Sequence, residues 1–177
     1  MYIGNMKLLP RYTKYHILRT SAYTLVEILI GLTIIALLFG FSYAGFRDFS
    51  RRQALSGAAK KVQGDLRLAQ ELALAGQKPE DPLCDLPANS LQSYSFNINS
   101  ANSYRIEANC SGGVVINKEV SLPPSVSIST PAVNPVKFKV IGQGTNIPDA
   151  TNITITLTQS GTNSQIGITV SSGGEIK

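Results

Sequence analysis

Tyr23-Thr24-Leu25-Val26-Glu27-Ile28-Leu29-Ile30-Gly31-Leu32-Thr33-Ile34-Ile35-Ala36 opens the stretch on which the rest of the chain depends. From Ile28 to Phe46 there are 19 consecutive residues without a charge. About 20 apolar residues suffice for a helix to cross the hydrocarbon core of a bilayer. A signal-peptide core is shorter, about 7–15 residues, and ends at a small-residue cleavage site. Here the run passes instead into Arg47-Asp48-Phe49-Ser50-Arg51-Arg52. The run is apolar on every side rather than along one stripe. That favours a membrane anchor over the alternative, the buried helix of a soluble core.

Charge is arranged around this run. The chain has 177 residues and a formal charge of +5, but only 15% of its residues are charged. Residues 1–22 hold Lys7, Arg11, Lys14 and Arg19 with no acid. Residues 47–67 hold six bases and two acids, and residues 68–177 carry a small acidic excess. The sequence pI near 9.3 therefore belongs to two short blocks, not to a nucleic-acid-binding domain. Because both flanks are basic, the positive-inside rule alone leaves the orientation open. The purely basic N-terminal block and the Ser-, Thr- and Asn-rich C-terminal part place the N-terminus in the cytoplasm.

Glu27 stands at the edge of the apolar run. A carboxylate at membrane depth costs about 2.5 kcal/mol or more and usually marks a function with a partner. The alternative is placement at the interface, favoured by the helix N-terminal dipole.

The order of residues from Ser21 to Ala36 resembles the N-terminal motif of the type IV pilin and pseudopilin family. That motif has a basic leader, a small residue, an aromatic residue, Thr, two aliphatics, Glu and a long apolar helix. Two positions depart from it: Ala22 stands where the family nearly always has Gly, and Tyr23 where it usually has Phe. The resemblance implies that residues 1–22 are a leader. Prepilin peptidase would cut between Ala22 and Tyr23 and N-methylate Tyr23. It also gives Glu27 a role in assembly, neutralising the N-terminal amine of a neighbouring subunit. An ammonium and a carboxylate cost less together in low dielectric than either does alone.

Beyond Arg47 the helical pattern persists. Leu55, Ala58, Ala59, Val62, Leu66, Ala69, Leu72 and Ala73 recur at three- and four-residue spacing, with Arg52, Lys60, Lys61, Asp65, Arg67 and Glu71 assigned to the opposite side. No Pro occurs between Arg11 and Pro79, and Gly76 suits a C-cap. The expectation is one helix over about residues 23–75, roughly 80 Å long at 1.5 Å per residue. Residues 23–46 would form its transmembrane and assembly half, and residues 47–76 its amphipathic continuation. Arg47, Arg51 and Arg52 mark the far membrane interface or pair with neighbouring subunits. They could also be read as a phosphate-binding patch, but no aromatic residues interleave with them, so DNA is not an expected partner.

Residues 77–177 are expected to form a β-rich extracytoplasmic domain. Residues 88–177 contain 32 Ser, Thr or Asn residues and nine charged ones. Tyr94-Phe96-Ile98 and Tyr104-Ile106-Ala108 flank Asn99 to Asn102 as a hairpin. Further short runs lie at Val114–Ile116, Val126–Ile128, Val136–Val140, Ile153–Leu157 and Ile166–Val170, separated by Pro, Gly and Asn. The fold class is α+β: a long N-terminal helix packed on a small antiparallel β domain, as in pilins. Leu66 to Ala73, Val136 to Phe138 with Gly142 or Gly144, and Ile153 to Leu157 resemble the H-type minor pseudopilins of type II secretion and the FimT-like minor pilins. Gly174-Glu175 stands where that group has Gly-Arg. In an extracytoplasmic setting Cys84 and Cys110 favour a disulfide, the alternative being two free thiols.

The resemblance implies a structural subunit of a type IV pilus or type II secretion pseudopilus, not an enzyme. Its partners would be other pilin or pseudopilin subunits, prepilin peptidase, the inner-membrane assembly platform and membrane lipid. It would be a single-pass inner-membrane protein before assembly. The alternative function is an anchored binding module such as an adhesin or a competence DNA-uptake pilin. An anchored enzyme fits poorly, because the only His is His16, in the leader. No cofactor or metal is expected. Glu80, Asp81 and Asp85 read as a solvated loop, with a Ca²⁺ site as the alternative.

Overall fold

The structure is a computed structural model that describes residues 23–85 and 89–177. Residues 1–22, the expected leader, lie outside the described residues. The helix α1 spans Leu25–Ala75, so it starts two residues later than the sequence suggests, because Thr24 serves as its cap. It ends where Gly76 takes φ +61°. The Gly76 N–H donates to Ala73 O and the Gln77 N–H donates to Leu72 O, each at 3.2 Å. This is the Schellman pattern, which satisfies carbonyls the last turn would leave open. Contacts divide the chain after Ser42 into two units.

In the first unit, the described side chains of α1 are apolar apart from Glu27 and Thr33, and the large apolar ones are exposed. They run from Leu25 at 79% exposure to Phe39 at 73%. Thr33 Oγ1 donates to Ile30 O at 2.8 Å, so the hydroxyl within the apolar run is satisfied by its own helix. By length and composition, α1 can cross a membrane.

The second unit, Tyr43–Lys177, holds the core. Leu55, Ala58, Ala59, Val62, Leu66, Ala69 and Ala73 of α1 are buried in it, and Leu72 packs at its margin. These are the stripe residues of the sequence pattern. After the four-residue helix α2 (Pro82–Asp85) come β1 (Leu91–Ser100), β2 (Ser103–Cys110), β3 (Gly113–Ser121), β4 (Val126–Ile128), β5 (Val136–Lys139), β6 (Asn152–Gln159) and β7 (Gln165–Ser171). The β1–β2 hairpin pairs Tyr94 with Ala108, Phe96 with Ile106 and Ile98 with Tyr104, as the alternation requires. The α+β class with a long N-terminal helix on antiparallel sheets is therefore what the chain adopts.

The strands divide between two sheets, ordered β3-β2-β1-β5 and β4-β6-β7. Pro123-Pro124 before β4 and Pro135 before β5 lack the N–H that would continue a ladder. At the second break a side chain substitutes for backbone. Asn134 Oδ1 accepts from the Ile98 N–H at 3.0 Å, and its Nδ2 donates to Ile98 O at 2.9 Å. Asn146 treats β5 in the same way, accepting from the Lys137 N–H at 2.8 Å and donating to Pro135 O at 2.9 Å. The C-terminus lies along β7, where Thr169 and Lys177 exchange backbone bonds of 3.0 Å.

Candidate functional site

Thr24-Leu25-Val26-Glu27 fits the capping-box pattern, with Thr at N-cap and Glu at N3. Half of the box is formed. Thr24 Oγ1 accepts from the Glu27 N–H at 3.3 Å, and Thr24 O accepts from the N–H groups of Glu27 and Ile28 at 3.0 and 3.2 Å. The Glu27 carboxylate is exposed and makes no hydrogen bond or ion pair among the described residues. At N3 it lies where the helix dipole favours negative charge by about 0.3–1 kcal/mol. Tyr23 precedes it, 74% exposed, while Ala22, the other half of the expected cleavage site, lies outside the described residues. The Thr-x-x-Glu spacing is the signal for this cap, which the sequence analysis did not single out, and the role is separate from the one the family resemblance gives Glu27.

Cys84 and Cys110 form a disulfide with their Cα atoms 5.4 Å apart. The bridge holds α2 against the end of β2. Asp81 begins α2, its Oδ1 accepting from the Leu83 N–H at 2.9 Å, as an N-cap side chain does. Asp81 is thus tied to the backbone at the start of α2. Gly112 lies under this corner: a Cβ there would sit 2.5 Å from Leu83 O and 2.6 Å from Asn89 Nδ2.

The second unit contains one charged group that the sequence reading put on the wrong side of the helix. Asp65 was assigned to the polar face of α1, yet it is only 6% exposed. It follows Val62 by three residues and precedes Ala69 by four, so it lies in the apolar column. Two partners hold its carboxylate there. The Tyr104 hydroxyl donates to Oδ2 and Lys118 Nζ pairs with Oδ1, both at 2.7 Å. Tyr104 is fully buried. Its phenol is held well above the usual range, first by burial, then by the bond to Asp65 and that carboxylate's charge. The group joins α1 to β2 and β3 by charge-assisted bonds.

Of the basic residues after the apolar run, Arg51 lies 3.8 Å from Asp48. Its guanidinium packs where a Cβ on Gly161 would meet it at 3.4 Å, and Arg52 is exposed. Two recesses flank the helix in this unit. One is a groove of about 480 Å³ lined by Gln53, Ala54, Gly57, Ala58, Lys61, Ser121, Leu122 and Pro123. The other, about 40 Å³, lies beside Gln70, Leu74, Phe138 and Gly174. Comparison with family models, curated proteins and solved structures returns no match.

Proposed function

We propose that the chain is a subunit of a pilin-type filament, a type IV pilus or a type II secretion pseudopilus. In this reading it is cut between Ala22 and Tyr23 by prepilin peptidase and assembled through α1. The observation that carries the reading is an exposed apolar helix start bearing one exposed carboxylate, Glu27, with no partner among the described residues. Such a helix needs either lipid or other helices around it. A carboxylate entering that environment needs a cation, and cleavage creates one as the new N-terminal ammonium at Tyr23. The leader withholds that cation by keeping the amine in a peptide bond. Before assembly the chain is a single-pass inner-membrane protein with its second unit outside the cytoplasm, where an oxidising compartment forms the Cys84–Cys110 bond.

Co-expression with a prepilin peptidase followed by mass spectrometry of the N-terminus tests this. A chain starting at N-methylated Tyr23 is the expected product, and an uncut chain or a different terminus refutes the assignment. Glu27→Ala should still insert in the membrane but fail to enter filaments, and normal incorporation would remove the charge-pair mechanism.

A further inference from the structure

Before Leu55 the inward column of α1 changes character. Leu55 and Ala59 are buried, and at the same four-residue spacing the column continues back through Arg51 to Arg47. Arg52 adjoins them, exposed, and Asp48 is the one acid of the stretch. The rest of the unit is balanced: residues 53–177 hold nine bases and nine acids. The net positive charge of the second unit therefore lies at residues 47–52. Phe46 and Phe49, 68% and 59% exposed, carry the apolar surface up to the same level.

The turn between β6 and β7, Ser160-Gly161-Thr162-Asn163-Ser164, meets this cluster. The Arg51 guanidinium lies across Gly161, with Cζ and Nη1 at 3.4 Å and Nη2 at 3.6 Å from where a Cβ would stand. Gly161 takes φ +102°, a conformation that favours glycine. The turn is held in a fixed shape. Fully buried Gln159 accepts through Oε1 from the Thr162 N–H at 3.2 Å and from Thr162 Oγ1 at 2.7 Å. Its Nε2 is left buried with no acceptor among the described residues, a cost that goes with fixing the turn. The turn has no charge and no large apolar side chain, so it suits a polar partner. The Gly161 N–H has no acceptor among the described residues, and Arg51 has only a 3.8 Å contact with Asp48 and stays 35% exposed.

We propose that Arg51 and the Gly161 turn form a lipid-phosphate site that seats the base of the second unit on the headgroups of the membrane α1 crosses. Arg51 lies five residues past Phe46, the end of the uncharged run, or about 7–8 Å at 1.5 Å per residue. A headgroup layer is about 5–8 Å deep on each side of the hydrocarbon core, so Arg51 and the turn stand at its outer face. A guanidinium beside an unpaired backbone N–H is a donor set for phosphate oxygens. The inference rests on the membrane-anchored part of the proposed function and adds a second foothold besides the helix.

The test uses the full chain, one copy per lipid nanodisc, with a thiol-reactive spin label, which spares the Cys84–Cys110 bridge. Ser160→Cys labels the turn, and Gln143→Cys labels an exposed residue of the β5–β6 connection, away from the turn. The discs hold phosphatidylcholine with or without phosphatidylglycerol, plus a trace of lipid carrying a gadolinium chelate on its headgroup. Relaxation enhancement should be severalfold greater at Ser160→Cys than at Gln143→Cys. It should rise with phosphatidylglycerol and fall with added salt. Arg51→Gln should lower the ratio of seated to free signal about fivefold, the weight of one cation near an anionic surface. Arg51→Lys keeps the charge and should retain most of the signal, which separates lipid attraction from packing. Equal enhancement at the two labels overturns the proposal, as does a signal that appears only with several chains per disc, which marks a contact between copies. If the turn is silent while the chain inserts and prepilin peptidase cuts before Tyr23, the lipid site is wrong and the filament reading stands. If the chain does not insert, both fall.

Discussion

Tyr104→Phe removes one oxygen atom from the interior and should be far more costly than its size suggests. The ring stays in place against Phe96, 4.6 Å away between centroids, so packing is preserved. What is lost is the 2.7 Å bond to Asp65, a bond to an ionised group with both ends buried. Such bonds contribute about 1.5–3 kcal/mol, and the geometry here supports a loss of about 2 kcal/mol. Lys118→Met should cost less, about 1 kcal/mol or below. The Lys118 side chain is 40% exposed, so water screens the pair and can replace the ammonium. With both substitutions no partner remains for a carboxylate that is 6% exposed, and the loss should exceed the sum of the single losses by about 1 kcal/mol. The assay is urea unfolding of the full chain in detergent micelles, followed by near-ultraviolet tyrosine dichroism and read as midpoint at constant slope. A Tyr104→Phe loss below about 0.5 kcal/mol, or strict additivity in the pair, would refute the claim that both partners hold Asp65 in the core.

Three further outcomes are expected. Tyr94 and Tyr104 both keep their protons above the usual phenol range, while the unfolded chain releases them near pH 10. Stability should therefore be full below about pH 10 and fall above it by up to about 1.4 kcal/mol per pH unit for each tyrosine, a slope that Tyr104→Phe should make shallower; a urea midpoint flat from pH 9 to 11 would contradict this. Reducing the Cys84–Cys110 bond, which closes a separation of 26 residues, should cost about 3 kcal/mol on the loop-entropy account, visible as a lower urea midpoint in dithiothreitol. Gly76→Ala should destabilise by about 1–2 kcal/mol because its φ is +61°, whereas Gly57→Ala, at an exposed helix position with open space around it, should stabilise by up to about 1 kcal/mol; the same sign at both positions would undo the argument from backbone conformation.

Much of the architecture was legible because it rests on local periodicity. The buried face of α1 follows the spacing of Leu55, Val62, Leu66 and Ala69, and the β1–β2 hairpin follows the alternation of Tyr94 to Ile98 with Tyr104 to Ala108. Gly76 marked the helix end because only a left-handed residue closes that turn without a Cβ clash. Asp65 was misplaced by the same reasoning. Its type outweighed its position, and the residues that make its burial tolerable, Tyr104 and Lys118, lie 39 and 53 positions away. The left-handed backbone at Ile141 and the recess at Gly57 left no trace in the pattern either, since a backbone angle and a recess between a helix and a distant loop have no period.

The sequence alone determined what depends on neighbours along the chain. It placed an apolar segment long enough to cross a membrane, one carboxylate at its start, a helix ending at Gly76 and short strands divided by Pro and Gly. Tertiary structure alone decided what depends on contacts between distant residues. It split the strands into two sheets, paired β1 with β5, and settled the Cys84–Cys110 bond over the two free thiols that the sequence left open. It also buried a charge beneath a tyrosine and a lysine. The division has one physical source. Side-chain periodicity is fixed by backbone geometry within a few residues, whereas pairing and burial are fixed by which distant surfaces can satisfy one another's apolar area and hydrogen bonds.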